Sequence, residues 1–161
     1  MSFFDRVVKP QFKTDQEVFE ATAAGAVIGH NAGLQIKDVD WRGGVRFMSF
    51  PDPLLELNVE LAAYAWRWVC ITDKRPDARA GFSLMTYQVA LSRLLESLGR
   101  SDEQSVSDLI NDRFNDNLDL LRSTKGRGAV KALATEIEDK RTLTGRQATD
   151  VIELALSTSV A

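Results

Sequence analysis

Apolar residues recur every three or four positions along most of the chain, and polar caps, glycines and prolines cluster where that rhythm stops. Residues 1–13 read as an N-terminal arm with the apolar pairs Phe3/Phe4 and Val7/Val8, closed by Pro10. Thr14-Asp15-Gln16-Glu17 is a capping box, whose two outer side chains each satisfy an amide that a helix start leaves open. A helix is therefore expected from Thr14 to about His30, stopping near Gly33. Between Leu34 and Phe50 the period shortens. Leu34, Ile36 and Val39 are set among polar residues, and Val45, Phe47 and Phe50 follow the Gly43-Gly44 pair, which predicts a small β-hairpin.

Asp52 ahead of Pro53 marks the next helix start, because a proline at the first helical position has no amide to leave unpaired. This helix, about Pro53 to Ile71, is apolar almost all round, with Glu56, Glu60 and Arg67 on one stripe, and is expected at the centre of the core. The charged loop Thr72 to Gly81 leads to a third helix that presents Leu84, Tyr87, Leu91, Leu94, Leu95 and Leu98 and ends at Gly99. Ser101-Asp102-Glu103-Gln104 is a second capping box; its helix carries Val106, Leu109, Ile110, Phe114, Leu118 and Leu121 and is expected to break at Gly126 and Gly128. A fifth helix turns Val130, Leu133 and Ile137 inward. The third box, Thr144-Gly145-Arg146-Gln147, opens a last helix with Ala148, Val151, Ile152 and Ala155. The expected class is α+β, mostly α: a bundle of five or six helices with one hairpin near the N-terminus, in a single domain over 14–157 with a C-terminal tail at 158–161.

Composition narrows the chemistry. At 161 residues, 44% hydrophobic and 27% charged, the chain has the size and make-up of one globular domain. Its net charge of −3 argues against a surface built to neutralise phosphates, so no nucleic-acid partner is expected. No stretch approaches the roughly 20 apolar residues that cross a bilayer, and Met1-Ser2-Phe3-Phe4-Asp5-Arg6 lacks the apolar run of a secretory leader, so no membrane partner and a cytoplasmic location are expected. A glycine-rich loop followed by Lys-Ser or Lys-Thr is absent; no ATP site and no other cofactor is expected.

The single histidine, His30, and the single cysteine, Cys70, are the whole supply of nitrogen and sulfur ligands, and catalytic zinc commonly takes two. Cys70 follows the apolar run Trp66-Arg67-Trp68-Val69, where burial keeps a thiol inert. His30, near a helix end, is suited to meet the helix dipole. Asp15, Glu17 and Glu20 suggest a metal cluster at first sight, but carboxylates near a helix start are what the dipole favours, and Glu17 has a capping role.

Two segments carry a family resemblance. The stretch from Asp112 to Ile152, which contains RFNDNLDLLRSTKGRGAVKALATEIEDKRTLTGRQATDVI, runs from a helix ending in Leu-Leu through an Ala- and Leu-rich helix, an acidic turn and a Thr-Leu capping box to a final helix. Near the other end, a helix is followed by Gly33-Leu34 and the strand-like Gln35-Ile36-Lys37-Asp38-Val39. Over about residues 14–155 this order resembles the zinc peptidase domain of the FtsH-type membrane proteases, which bears HEAGH on the corresponding helix. By that family's spacing the resemblance puts the metal-binding histidines on Ala21 and Gly25, the general-base glutamate on Thr22 and the third ligand, an aspartate, at about Ser83.

The resemblance thus implies a peptidase scaffold whose site has no catalytic residue and no metal ligand, retained as a protein-interaction or assembly module with a protein partner or a second copy. On this reading the small face Ala21, Ala24, Gly25 and Ile28 is the former site floor, and Trp41, Trp66 and Trp68 are candidates to pack over it. Trp66 is expected in the core. Trp41 and Trp68, with Lys74, Arg75 and Arg79 of the charged loop, form a candidate interaction surface. Two alternatives belong to other classes. One is a hydrolase rebuilt around His30, Cys70 and Asp77. The other is a DNA-binding regulator in which Leu143 to Ala148 opens a helix-turn-helix, against which stand Asp150 and Glu153 and the lack of Lys or Arg after Arg146 in the last helix.

Overall fold

A computed structural model describes residues 14–49 and 102–157, with positions 55, 58, 59, 61–63, 65, 66, 69, 92, 95 and 96 between them. The element order is helix α1 (Asp15–Asn31), strands β1 (Ile36–Asp40) and β2 (Gly44–Phe47), helices α2 (Glu103–Arg122) and α3 (Thr124–Lys140), strand β3 (Thr142–Thr144) and helix α4 (Gly145–Ser157). The protein is mostly helical, with one small antiparallel sheet, as the pattern predicts. The N-terminal arm, the loop Thr72 to Gly81 and the tail at 158–161 lie outside the described residues.

Local chemistry sets the ends of α1. The Glu17 N–H donates to Thr14 Oγ1 at 3.2 Å, as the capping box requires. At the far end Gly33 adopts φ +91°, its N–H donates to His30 O at 3.0 Å, and the Leu34 N–H reaches Gly29 O at 2.9 Å. That is a Schellman turn, which glycine enters without strain. The box before α4 is reciprocal: the Gln147 N–H donates to Thr144 Oγ1 at 3.1 Å and the Thr144 N–H to Gln147 Oε1 at 2.9 Å.

The second box is displaced by one residue. Asp102 is the N-cap of α2 and accepts from the N–H groups of Gln104 and Ser105. Aspartate caps as well as serine does, so the neighbouring Ser101 signal was ambiguous.

A larger correction concerns Gly126 and Gly128, which do not break a helix but lie inside α3. The break is at Ser123, which ends α2 and caps α3 with one side chain: its Oγ donates to Leu120 O at 2.6 Å and accepts from the Gly126 N–H at 3.0 Å. A Cβ at Gly126 would overlap the Leu120 carbonyl, so this glycine permits the sharp corner and does not end the helix.

The hairpin also gains a partner. The sheet order is β2-β1-β3, antiparallel throughout, with Val39 opposite Val45 on one side and Leu143 on the other. Thr142–Thr144 was legible only as a helix start, because three residues are too few to show alternation. The register of β1 against β2 shifts between Ile36 and Asp38. That bulge lets Ile36 and Val39, an odd number of positions apart, both face the core.

Helix α1 packs chiefly on α3, α3 in turn on α4 and α2, and β1 lies against α4 and α1. Most of the predicted inward residues are buried, namely Val106, Ile110, Phe114, Leu118 and Leu121 on α2, Val130, Leu133 and Ile137 on α3, and Ala148 and Ile152 on α4, while Leu109, Val151 and Ala155 are only half-buried. Leu61, Ala62, Ala65, Trp66 and Val69 are helical and buried, which places this part of the expected central helix in the core. The buried Asn117 of α2 donates from Nδ2 to Asn58 O at 2.9 Å, tying α2 to that segment. No helix among the described residues is long and apolar enough to cross a membrane.

Candidate functional site

The face of α1 on which the resemblance places its site begins with the run Ala21-Thr22-Ala23-Ala24-Gly25-Ala26. Residues this small remain helical under a good cap and let another element approach the backbone closely. Ala21 and Gly25 are one turn apart and share a face. Both are buried, and Thr22 is half-buried.

A Cβ built on Gly25 would lie 3.3 Å from Val45 Cγ1 and 3.8 Å from Val59 Cγ1. One built on Gly29 would run into the Phe47 ring. Among the described residues, the filling over this floor comes, at Gly25 and Gly29, from the hairpin strand β2 and from Val59, and neither Trp41 nor Trp66 stands there. An aliphatic contact of this kind offers no lone pair to a metal and no nucleophile to a substrate.

Of the tryptophans, Trp66 is buried and has the Lys131 ammonium 5.6 Å from its ring centroid. Trp41 lies in the β1–β2 turn, half-buried, with its ring 5.9 Å from that of Phe19 and tilted by 59°. Two guanidinium groups stand over it: Arg42 at 4.8 Å and Arg141 at 5.0 Å from the ring centroid. Arg141 also lies 5.1 Å from the Phe19 ring. The Trp41 backbone N–H donates to Arg141 O at 3.0 Å, which pins the hairpin tip to the α3–β3 corner.

Trp41 thus belongs to a cation-aromatic cluster of which the sequence pattern marks only this one member. Arg42 was adjacent in the chain and could have been found. Arg141 had a fainter signal: α3 ends in Lys140-Arg141-Thr142 with no glycine after it, although its corner residue sits at φ +67°.

His30 is in the last turn of α1, as expected of a dipole partner, and its Nε2 lies 3.7 Å from Glu153 Oε1 of α4. Glu20 is not a first-turn charge: it is buried, accepts from Gln16 Nε2 at 3.2 Å and pairs with Lys131 Nζ at 2.5 Å. The alternative helix-turn-helix stretch, Leu143 to Ala148, joins β3 to α4, with Thr142–Thr144 paired to β1. Ser83, Cys70, Asp77, Trp68, Lys74, Arg75 and Arg79 lie outside the described residues. Among the described residues no three His, Cys, Asp or Glu side chains converge as a metal site would need.

No protein family, curated protein or solved structure matches this chain.

Proposed function

We propose that the chain is a non-catalytic relative of the FtsH-type zinc peptidase domain that serves as a protein-interaction or assembly module. The observation that carries the reading is the packing of β2 on α1. The resemblance assigns metal-binding histidines to positions 21 and 25; Ala21 and Gly25 occupy them, and Val45 and Val59 close over Gly25. A helix followed by an antiparallel hairpin is the arrangement that the resemblance implies for this part of the chain, which supports the reading of a scaffold without its ligands. A surface feature supports the second half of the reading. Trp41 is half-exposed in the hairpin turn, where its ring offers a partner an aromatic anchor.

The test is metal analysis and peptide hydrolysis on the purified chain, before and after zinc loading and gel filtration. No retained zinc and no zinc-dependent hydrolysis are expected. One zinc per chain, or hydrolysis that a chelator abolishes, overturns the reading.

A further inference from the structure

We propose that the cluster Arg42, Trp41 and Arg141 at the hairpin tip is a docking point for an acidic peptide segment of a partner protein. The proposal rests on the reading of the chain as an interaction module and is independent of its kinship with zinc peptidases. Three observations carry it.

The first is unspent charge. Both guanidinium groups lie against one indole, and neither has an acidic partner among the described residues. Asp40, two residues from Arg42, gives its Oδ1 to the Arg42 backbone N–H at 3.1 Å. Arg46, on the adjoining strand, is by contrast paired with Asp38. A guanidinium held against a ring by its charge can still turn N–H groups outward, and those form the fork which grips a carboxylate at two points.

The second is backbone strain at Arg141. Its φ of +67° and ψ of −36° lie in a region that glycine enters freely and that strains other residues. An arginine here gives up stability that glycine would keep, so the side chain over Phe19 and Trp41 has a use that offsets the strain. The third is charge contrast. Two clustered cations on a chain of net charge −3 make a local feature, suited to an acidic segment and poorly suited to a nucleic-acid backbone, which needs a broad positive field. The half-exposed indole beside them supplies the aromatic anchor common at peptide interfaces.

The experiment is fluorescence anisotropy of a labelled poly-glutamate peptide titrated with the full chain at low and at physiological salt, with poly-lysine and oligo-thymidylate as comparison probes. The wild type should bind poly-glutamate in preference to both. Arg42→Glu and Arg141→Gly should each weaken that binding on the order of tenfold. Arg141→Gly should do so with an unchanged or higher Tm, since glycine relieves the strain; a merely structural arginine would lower the Tm when lost. Arg42 is on an exposed turn, so Arg42→Glu remains a fair test if the other variant folds poorly. Absence of poly-glutamate binding at low salt, binding indifferent to both variants, or tighter binding of oligo-thymidylate overturns the proposal. So does light scattering that shows the wild type self-associating through this patch and Arg42→Glu dissolving the assembly. Zinc retention would leave these results untouched, so the two readings fail separately.

Discussion

Lys131 Nζ of α3 lies 2.5 Å from Glu20 Oε1 of α1 and 5.6 Å from the centre of the Trp66 ring, so one ammonium ties together two helices and a core aromatic. Glu20 is held at 10% side-chain exposure, whereas Lys131 keeps 57% of its own. The carboxylate is therefore the member that depends on the pair, because the lysine can return to water by a rotation and the glutamate cannot.

Lys131→Ala should destabilise the protein by about 2 kcal/mol, less than the cost of stranding a charge in a fully buried pair, since the exposed lysine is partly screened. Glu20→Gln should cost less, because an amide is cheaper to bury and its carbonyl can still accept from Gln16. The double variant should cost less than the sum. Urea denaturation of the three variants measures this coupling; strict additivity would mean that the pair contributes nothing.

Gly126, Gly128 and Gly145 are all helical, yet alanine should act on them in opposite directions. An added Cβ would overlap the Leu120 carbonyl at Gly126 and the Ile36 carbonyl at Gly145, and meets nothing within 4 Å at Gly128. Gly128→Ala should stabilise by roughly 0.5–1 kcal/mol through helix propensity. Gly126→Ala and Gly145→Ala should each destabilise by more than about 1 kcal/mol, because backbone must move to admit the methyl group. Thermal melts of the three variants give the signs directly.

Asp38 and Arg46 stand opposite each other on β1 and β2, with Arg46 Nε donating to Asp38 Oδ1 at 2.7 Å and Nη2 to the other carboxylate oxygen. This hydrogen bond, with the arginine's charge, holds the Asp38 carboxyl below the usual aspartate range. A depressed carboxylate stabilises the fold above its unfolded pKa and loses that contribution as the pH falls through the folded one. The Asp38 titration followed by NMR should therefore have a midpoint below that of an unstructured aspartate. In Arg46→Ala the midpoint should move up, and the variant's stability should lose part of its dependence on acid. An unchanged midpoint would show that the pair does not form in solution.

What the sequence by itself determined were the features encoded within a turn or two of the chain. The boxes at Thr14 and Thr144, the Gly33 stop and the inward stripes of α2, α3 and α4 all depend on residues no more than a few positions apart, so their physics is complete in a short window. Trp66 was placed in the core for the same reason.

Only the tertiary structure decided whatever depends on a distant neighbour. Strand β3 exists because β1 offers a free edge to residues about a hundred positions later, and three residues carry no pattern of their own. Gly126 reads from the chain alone as a helix breaker, and the Leu120 carbonyl beside it shows that it instead permits a close corner inside a helix. Glu20 looked like a first-turn charge until α3 brought Lys131 to it. The candidate site divides along the same line. Trp41 could be singled out from the chain as a large aromatic among polar residues. Arg141 joins it only because antiparallel pairing of β1 with β3 sets the hairpin tip beside the α3–β3 corner, and side-chain stacking across that gap is a property of the sheet and not of either segment.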